Sequence, residues 1–146
     1  MTTLVIHASI AIKWVVQESG TADALQLRST AKLVAPDLLA AECANVLWKK
    51  IQRNELSMDE ALLAARLIER ADVELLATRA LIESATRIAV ALNQPAYDCL
   101  YLALAKLKEC HFVTADERFV RKARESDVDA LRDTVLSLPE AAQGLR

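Results

Sequence analysis

Four side chains able to bind a metal or move a proton stand at isolated points of a largely apolar chain: His7, Glu42, Asp98 and Asp116. His7 directly follows the apolar run Leu4-Val5-Ile6, and Asp116 lies two residues beyond Phe112-Val113-Thr114. Glu42 interrupts the stretch Leu38 to Leu47, with Asn45 three residues on and therefore on the same helical face. Asp98 interrupts the equally apolar stretch Pro95 to Ala105. Each has an ordinary structural use. Asp116 can cap a helix, and Asp98 can complement a helix dipole from a first turn. Glu42 can face solvent, and His7 can be a satisfied core histidine. Their combination points elsewhere, because carboxylates set among apolar segments are costly to desolvate unless a cation compensates. Holding such a cation is therefore the chemistry that these residue types, brought together, could serve.

The elements that must position these residues follow from periodicity. Short apolar runs at Leu4–Ile6, Leu33–Ala35, Val73–Leu76 and His111–Thr114 predict buried parallel strands, with a last edge strand at Thr134–Leu136. Helices are expected over Ile10–Gln17 capped by Ser9, over Ala22–Thr30, and from Asp37 as cap to about Arg53, ended by Asn54. Ser57 with Glu60 three residues on is a capping-box pattern, opening a helix to about Arg70. Further helices run from Thr78 to about Leu92, from Pro95 in the first turn to about Glu109, and from Glu117 to about Ser126. Strands alternating with helices predict one α/β domain over 1–146, a short parallel sheet with helices on both faces.

Composition narrows the function classes. The chain has 146 residues, 53% hydrophobic and 26% charged, with 26 Ala and 23 Leu but only 2 Gly and 3 Pro, which excludes disordered and collagen-like classes. A net charge of −2 gives no global attraction for nucleic acid, so any such contact must be a local patch. Three cysteines (Cys43, Cys99, Cys110) without CxxC spacing argue against a disulfide framework, and the expected location is the cytoplasm. The apolar stretch Leu4–Val16 is broken by Lys13 and is too short to span a bilayer. Trp14 and Trp48 are expected as core or interface anchors.

The four motifs, in this order and at these intervals, resemble PIN-domain nucleases along essentially the whole chain, and among them the VapC toxins of bacterial VapBC toxin–antitoxin pairs. Leu4-Val5-Ile6-His7-Ala8-Ser9 resembles the family's opening strand–Asp–x–Ser/Thr motif. Ala35 to Asn45, Tyr97 to Ala105, and Phe112 to Asp116 resemble the second, third and fourth acidic motifs. The resemblance implies a PIN-like three-layer fold and a Mg²⁺- or Mn²⁺-dependent endoribonuclease. Glu42, Asp98 and Asp116 would be its catalytic and metal-holding acids, with His7 at the remaining metal position. Ser9, Asn45 and Thr114 would be supporting groups. It also implies a homodimer and a VapB-type antitoxin lying in an apolar groove that leads to the acidic cleft. Operator DNA would be reached only through that antitoxin, and no membrane is involved.

His7 departs from the family pattern, which has aspartate there. Imidazole is a poor Mg²⁺ ligand and, when protonated, repels the ion. The expectation is therefore an impaired metal site, with His7 as an imidazolium paired to Asp98 or Asp116 and softer ions such as Mn²⁺ or Zn²⁺ better accepted. Lys49, Lys50 and Arg53 beyond Glu42, and Arg118, Arg121, Lys122 and Arg124 beyond Asp116, offer an RNA path. Two other readings compete. A catalytically inactive PIN-fold module could sequester antitoxin, which His7 favours. A receiver-type signalling domain is the least supported, since His7-Ala8 and Leu76-Ala77 lack the acids it needs.

Overall fold

A computed structural model describes residues 1–144. Five strands, β1 (Thr2–Ile6), β2 (Ala31–Pro36), β3 (Glu74–Leu76), β4 (His111–Thr114) and β5 (Val135–Ser137), form one sheet in the order β3-β2-β1-β4-β5. Every neighbouring pair is parallel. This order excludes the receiver-type reading, whose flavodoxin-like sheet runs 2-1-3-4-5.

Nine helices connect the strands among the described residues: α1 (Ala8–Val15), α2 (Thr21–Thr30), α3 (Leu38–Gln52), α4 (Met58–Glu69), α5 (Ile82–Leu92), α6 (Ala96–Lys108), α7 (Glu117–Arg124), α8 (Asp129–Thr134) and α9 (Leu138–Gly144). The apolar helix α6 lies across β1, β2 and β4 with α5 behind it, while α2 packs against both α1 and α9, and all three lie on the sheet from the other side. With both faces covered, Val5, Ile6, Phe112 and Val113 are fully buried, as uninterrupted apolar strands require. Among the described residues no helix is long and apolar enough to cross a membrane.

Several local expectations are corrected. β1 and β2 begin two residues earlier than the apolar runs, because Thr2 pairs with Ala31 and Thr3 with Lys32 in the ladder; backbone pairing, not hydrophobicity, sets their ends. Helix α1 is capped by His7, not Ser9: the Ser9 N–H donates to His7 Nδ1 at 3.1 Å. Asp37 makes no side-chain cap, since its backbone is already helical and its N–H donates to Leu76 O at 2.8 Å. Pro95 precedes α6 rather than lying in its first turn, and a 3₁₀ turn (Arg79–Leu81) separates Thr78 from α5. The capping box at Ser57 and Glu60 is present with both hydrogen bonds, and Asn54 leaves α3 in the left-handed region. Helices α8 and α9 were not expected. Leu138, Ala141 and Ala142 of α9 are nevertheless buried, which places the C-terminal segment in the core of the α2 side. Trp14 is a core residue whose Nε1–H donates to Ala24 O at 2.8 Å, whereas Trp48 is more than half exposed.

Candidate metal centre

In an open parallel sheet the crevice for ligands opens at the carboxyl edge where the strand order reverses, here between β1 and β4. His7 leaves β1 at that point, its N–H still donating to Val113 O at 3.0 Å. Helices α3 and α6 bring Glu42 and Asp98 to the same edge. Asp98 lies in the first turn of α6, where the helix dipole favours a carboxylate. One ligand atom from each of His7, Glu42 and Asp98 lies within 4.8 Å of the others, all three residues being half-buried. Three segments far apart in sequence thus converge on one cleft.

The cluster is internally hydrogen-bonded. His7 Nε2 lies 2.9 Å from Asp98 Oδ1, and His7 Nδ1 lies 2.9 Å from Ser9 Oγ. The Ser9 N–H points at Nδ1 at 3.1 Å, which leaves Nε2 facing the Asp98 carboxylate. The ring thus meets Asp98, one of the two acids expected to pair with it. Ser9 Oγ also accepts from the Ala115 N–H at 3.1 Å, tying the end of β4 to the His7 turn. Thr114, fully buried, accepts from the Asp116 N–H at 3.1 Å and so shapes the same loop.

Tyr101 is the site residue that sequence reasoning missed. It lies one turn after Asp98 on α6, and its hydroxyl donates to Glu42 Oε1 at 2.6 Å. Its ring stacks on Phe112 (centroids 5.5 Å apart, 20° between planes) and lies 4.9 Å from the His7 ring. Burial first, then the Glu42 carboxylate, keeps its phenol protonated far above the usual range. The available signal was a tyrosine three residues after Asp98 on one helical face; its partner, 59 residues away, left no trace in the local sequence. Burial, reinforced by Glu42, pushes the Cys43 thiol up to about 12, and burial with Asp98 does the same for Cys99. Neither is a thiolate at neutral pH, so neither is a ligand there.

Other predicted residues lie outside the cluster. Asp116 is exposed, and its Oδ1 caps α7 by accepting from the N–H groups of Arg118 (3.0 Å) and Phe119 (3.2 Å). Asn45 is exposed on α3. Lys50 is an internal tie rather than an open RNA contact: its Nζ and that of Lys13 both bind the Glu18 carboxylate, at 3.0 and 3.2 Å. Arg124 is likewise held by Glu140 and Val135 O. Lys49, Arg53, Arg118 and Arg121 remain exposed and Lys122 half-buried.

The family model described as PIN domain matches residues 4–125. No curated protein is significantly similar in sequence. Among solved structures, PAE2754 from Pyrobaculum aerophilum is similar over 99% of this chain and 89% of its own, at 17% identity and a TM-score of 0.70. VapBC2 from Rickettsia felis, bound to a DNA fragment from their promoter, is similar over 93% of this chain and 98% of that chain, at 12% identity and a TM-score of 0.63. At these identities the likeness is one of fold.

Proposed function

The chain belongs to the PIN domain family, and from that premise we propose that it is the toxin of a type II toxin–antitoxin pair, a metal-dependent endoribonuclease weakened by His7. The observation that carries this reading is the convergence of His7, Glu42 and Asp98 within 4.8 Å. The donor set of two carboxylates and one imidazole fits a divalent cation, and it suits Mn²⁺ or Zn²⁺ better than Mg²⁺. An ion seated there would acidify water for attack on an RNA phosphodiester and stabilise the departing oxygen.

The chain's own groups do the rest. Glu42 and Asp98 supply the negative charge. Ser9 fixes the His7 ring through Nδ1, so that Nε2 faces Asp98. Lys49, Arg118, Arg121 and Lys122 are proposed to place RNA phosphates near the cleft. Asp116, at the head of α7, is proposed to join the acids when substrate and ion are present. Thr114 holds the loop that carries Asp116, and Asn45, three residues after Glu42 on α3, is proposed as a further supporting group.

In Mn²⁺ the chain is expected to cleave a labelled RNA slowly, with EDTA stopping the reaction and Asp98→Asn abolishing it. Absence of cleavage both in this chain and in one with a carboxylate at position 7 would sink the nuclease reading. The second reading, an inactive module that only sequesters antitoxin, rests on the hydrogen bond by which His7 occupies Asp98. It would show antitoxin binding without cleavage.

The partner is proposed from an apolar groove beside Glu42. A cavity of about 250 Å³ is lined by Ala40, Cys43, Ala44, Leu47, Ile68 and Leu75, and Leu62, Leu63 and Leu67 of α4 are also exposed. Apolar surface of this kind marks an interaction site, and the VapBC2 complex is a structural relative. A VapB-type tail laid there could present an arginine to the carboxylates. DNA would be contacted through that partner. A second copy of the chain is proposed against Ile82, Val90 and Tyr97, which are exposed on and beside α5, and the cytoplasm is the proposed location. Ala44→Arg, at an exposed position lining the groove, should lower antitoxin affinity by at least ~100-fold, about 3 kcal/mol. Calorimetry on the purified pair checks this, with thermal melting to show an unchanged fold. Unaltered affinity would move the antitoxin elsewhere.

A further inference from the structure

Resting on the metal-site reading above, we propose that Tyr101 is a positioning residue for the cation site: a buried, immobile hydroxyl that fixes the carboxylate of Glu42 toward His7 and Asp98. Glu42 reaches the cleft from α3, a helix whose neighbouring positions Ala41 and Ala44 are exposed. A free glutamate there would sample many rotamers, and holding it in one costs rotamer entropy. Tyr101 removes that freedom. It is 0% exposed, and its ring is clamped against Phe112, which in turn meets Phe119 edge-on at 5.8 Å.

A tyrosine so held presents its hydroxyl at one fixed point. The 2.6 Å contact to Glu42 Oε1 is of charge-assisted length. One oxygen of Glu42 is thereby anchored, and Oε2 is left for a ligand. Asp98 and Tyr101 are three residues apart on α6, so one helix turn supplies a ligand and the group that orients another ligand. The His7 ring, 4.9 Å from that of Tyr101, rests on the same aromatic column. The column Phe119–Phe112–Tyr101 thus carries core rigidity to two of the three candidate ligands.

The test is Mn²⁺ binding to the full chain, followed by calorimetry and by the electron paramagnetic resonance of free Mn²⁺, neither of which needs turnover. Tyr101→Phe keeps the ring and its stack while deleting the hydroxyl, and it is expected to weaken Mn²⁺ binding about tenfold, as loss of an outer-shell partner does. In the Glu42→Ala background the same change should have no further effect, because Tyr101 acts only through Glu42. Equal affinity of this chain and Tyr101→Phe, with Glu42→Ala weakened, would overturn the proposal and leave the metal site standing. Additive losses in the double variant would overturn it too, by assigning Tyr101 to core packing. The melting temperature of Tyr101→Phe should stay within a few degrees, and collapse of the fold would make the hydroxyl structural and refute a positioning role. Failure of all these proteins, and of His7→Asp, to bind Mn²⁺ would overturn both this proposal and the metal reading beneath it.

Discussion

Substituting His7→Asp is expected to raise Mg²⁺-dependent RNA cleavage by at least ~100-fold, since loss of an outer-shell partner alone costs about 10- to 100-fold and position 7 is proposed as a direct donor. The present ring holds Asp98 Oδ1 at 2.9 Å from Nε2, so a carboxylate that would serve a cation is instead engaged by the imidazole. A carboxylate cannot donate, and it would release Asp98 and add a third hard oxygen donor beside Glu42. The backbone tolerates the change. Position 7 caps α1 by accepting from the Ser9 N–H, and aspartate is among the best residues for that task. Three close carboxylates repel one another without a cation, so His7→Asp should melt lower in EDTA and recover with Mg²⁺ through ligand linkage. The parent chain should respond little. The comparison is an RNA-cleavage assay with a Mg²⁺ titration of melting temperature on both proteins. Equal cleavage rates would show that position 7 is no ligand.

The largest expected loss of stability is at Phe112. It is fully buried on β4 beside central β1 and touches three rings: Tyr101 at 5.5 Å, Phe119 at 5.8 Å and His7 at 6.1 Å between centroids. Phe112→Ala should cost about 3–5 kcal/mol, from lost transfer energy and the cavity left behind. For a domain of this length that lowers the melting temperature on the order of 10 °C. Urea denaturation gives the free energy, and near-ultraviolet circular dichroism reports the aromatic column directly. A cost below about 1 kcal/mol would mean that neighbouring side chains refill the space, and the column would then not be the support beneath the site.

How much of this was legible beforehand depended on the range of the interaction. The capping box Ser57–Glu60 and the left-handed stop at Asn54 are set within a few residues, and both were readable. His7 as the cap of α1 was not, because Ser9 is the residue type that usually caps, and the histidine ring takes the part here only through its fixed Nδ1. Helix α9 was missed because Leu138-Pro139-Glu140-Ala141-Ala142 is too short to declare a period, and burial against α2 gives it its role. Lys50 reads as a solvated cation in sequence, yet its ammonium is tied to Glu18, 32 residues earlier.

By itself the sequence determined the alternation of apolar runs and helical stretches, hence a parallel sheet covered on both faces. It also placed His7 directly after a strand, Asp98 in the first turn of a helix and Glu42 within another helix, and a parallel α/β chain presents ligands beyond its strand ends. It determined these things because strand and helix periodicity and turn chemistry are local properties of the chain. The tertiary structure decided the strand order β3-β2-β1-β4-β5, and with it which ends share a cleft. It decided that three of the four marked residues converge while the Asp116 carboxylate caps α7. It also brought Tyr101 to Glu42, a contact that exists only because α3 and α6 reach the same edge of the sheet. Distances of a few ångströms between side chains dozens of residues apart are fixed by packing, which no local pattern encodes.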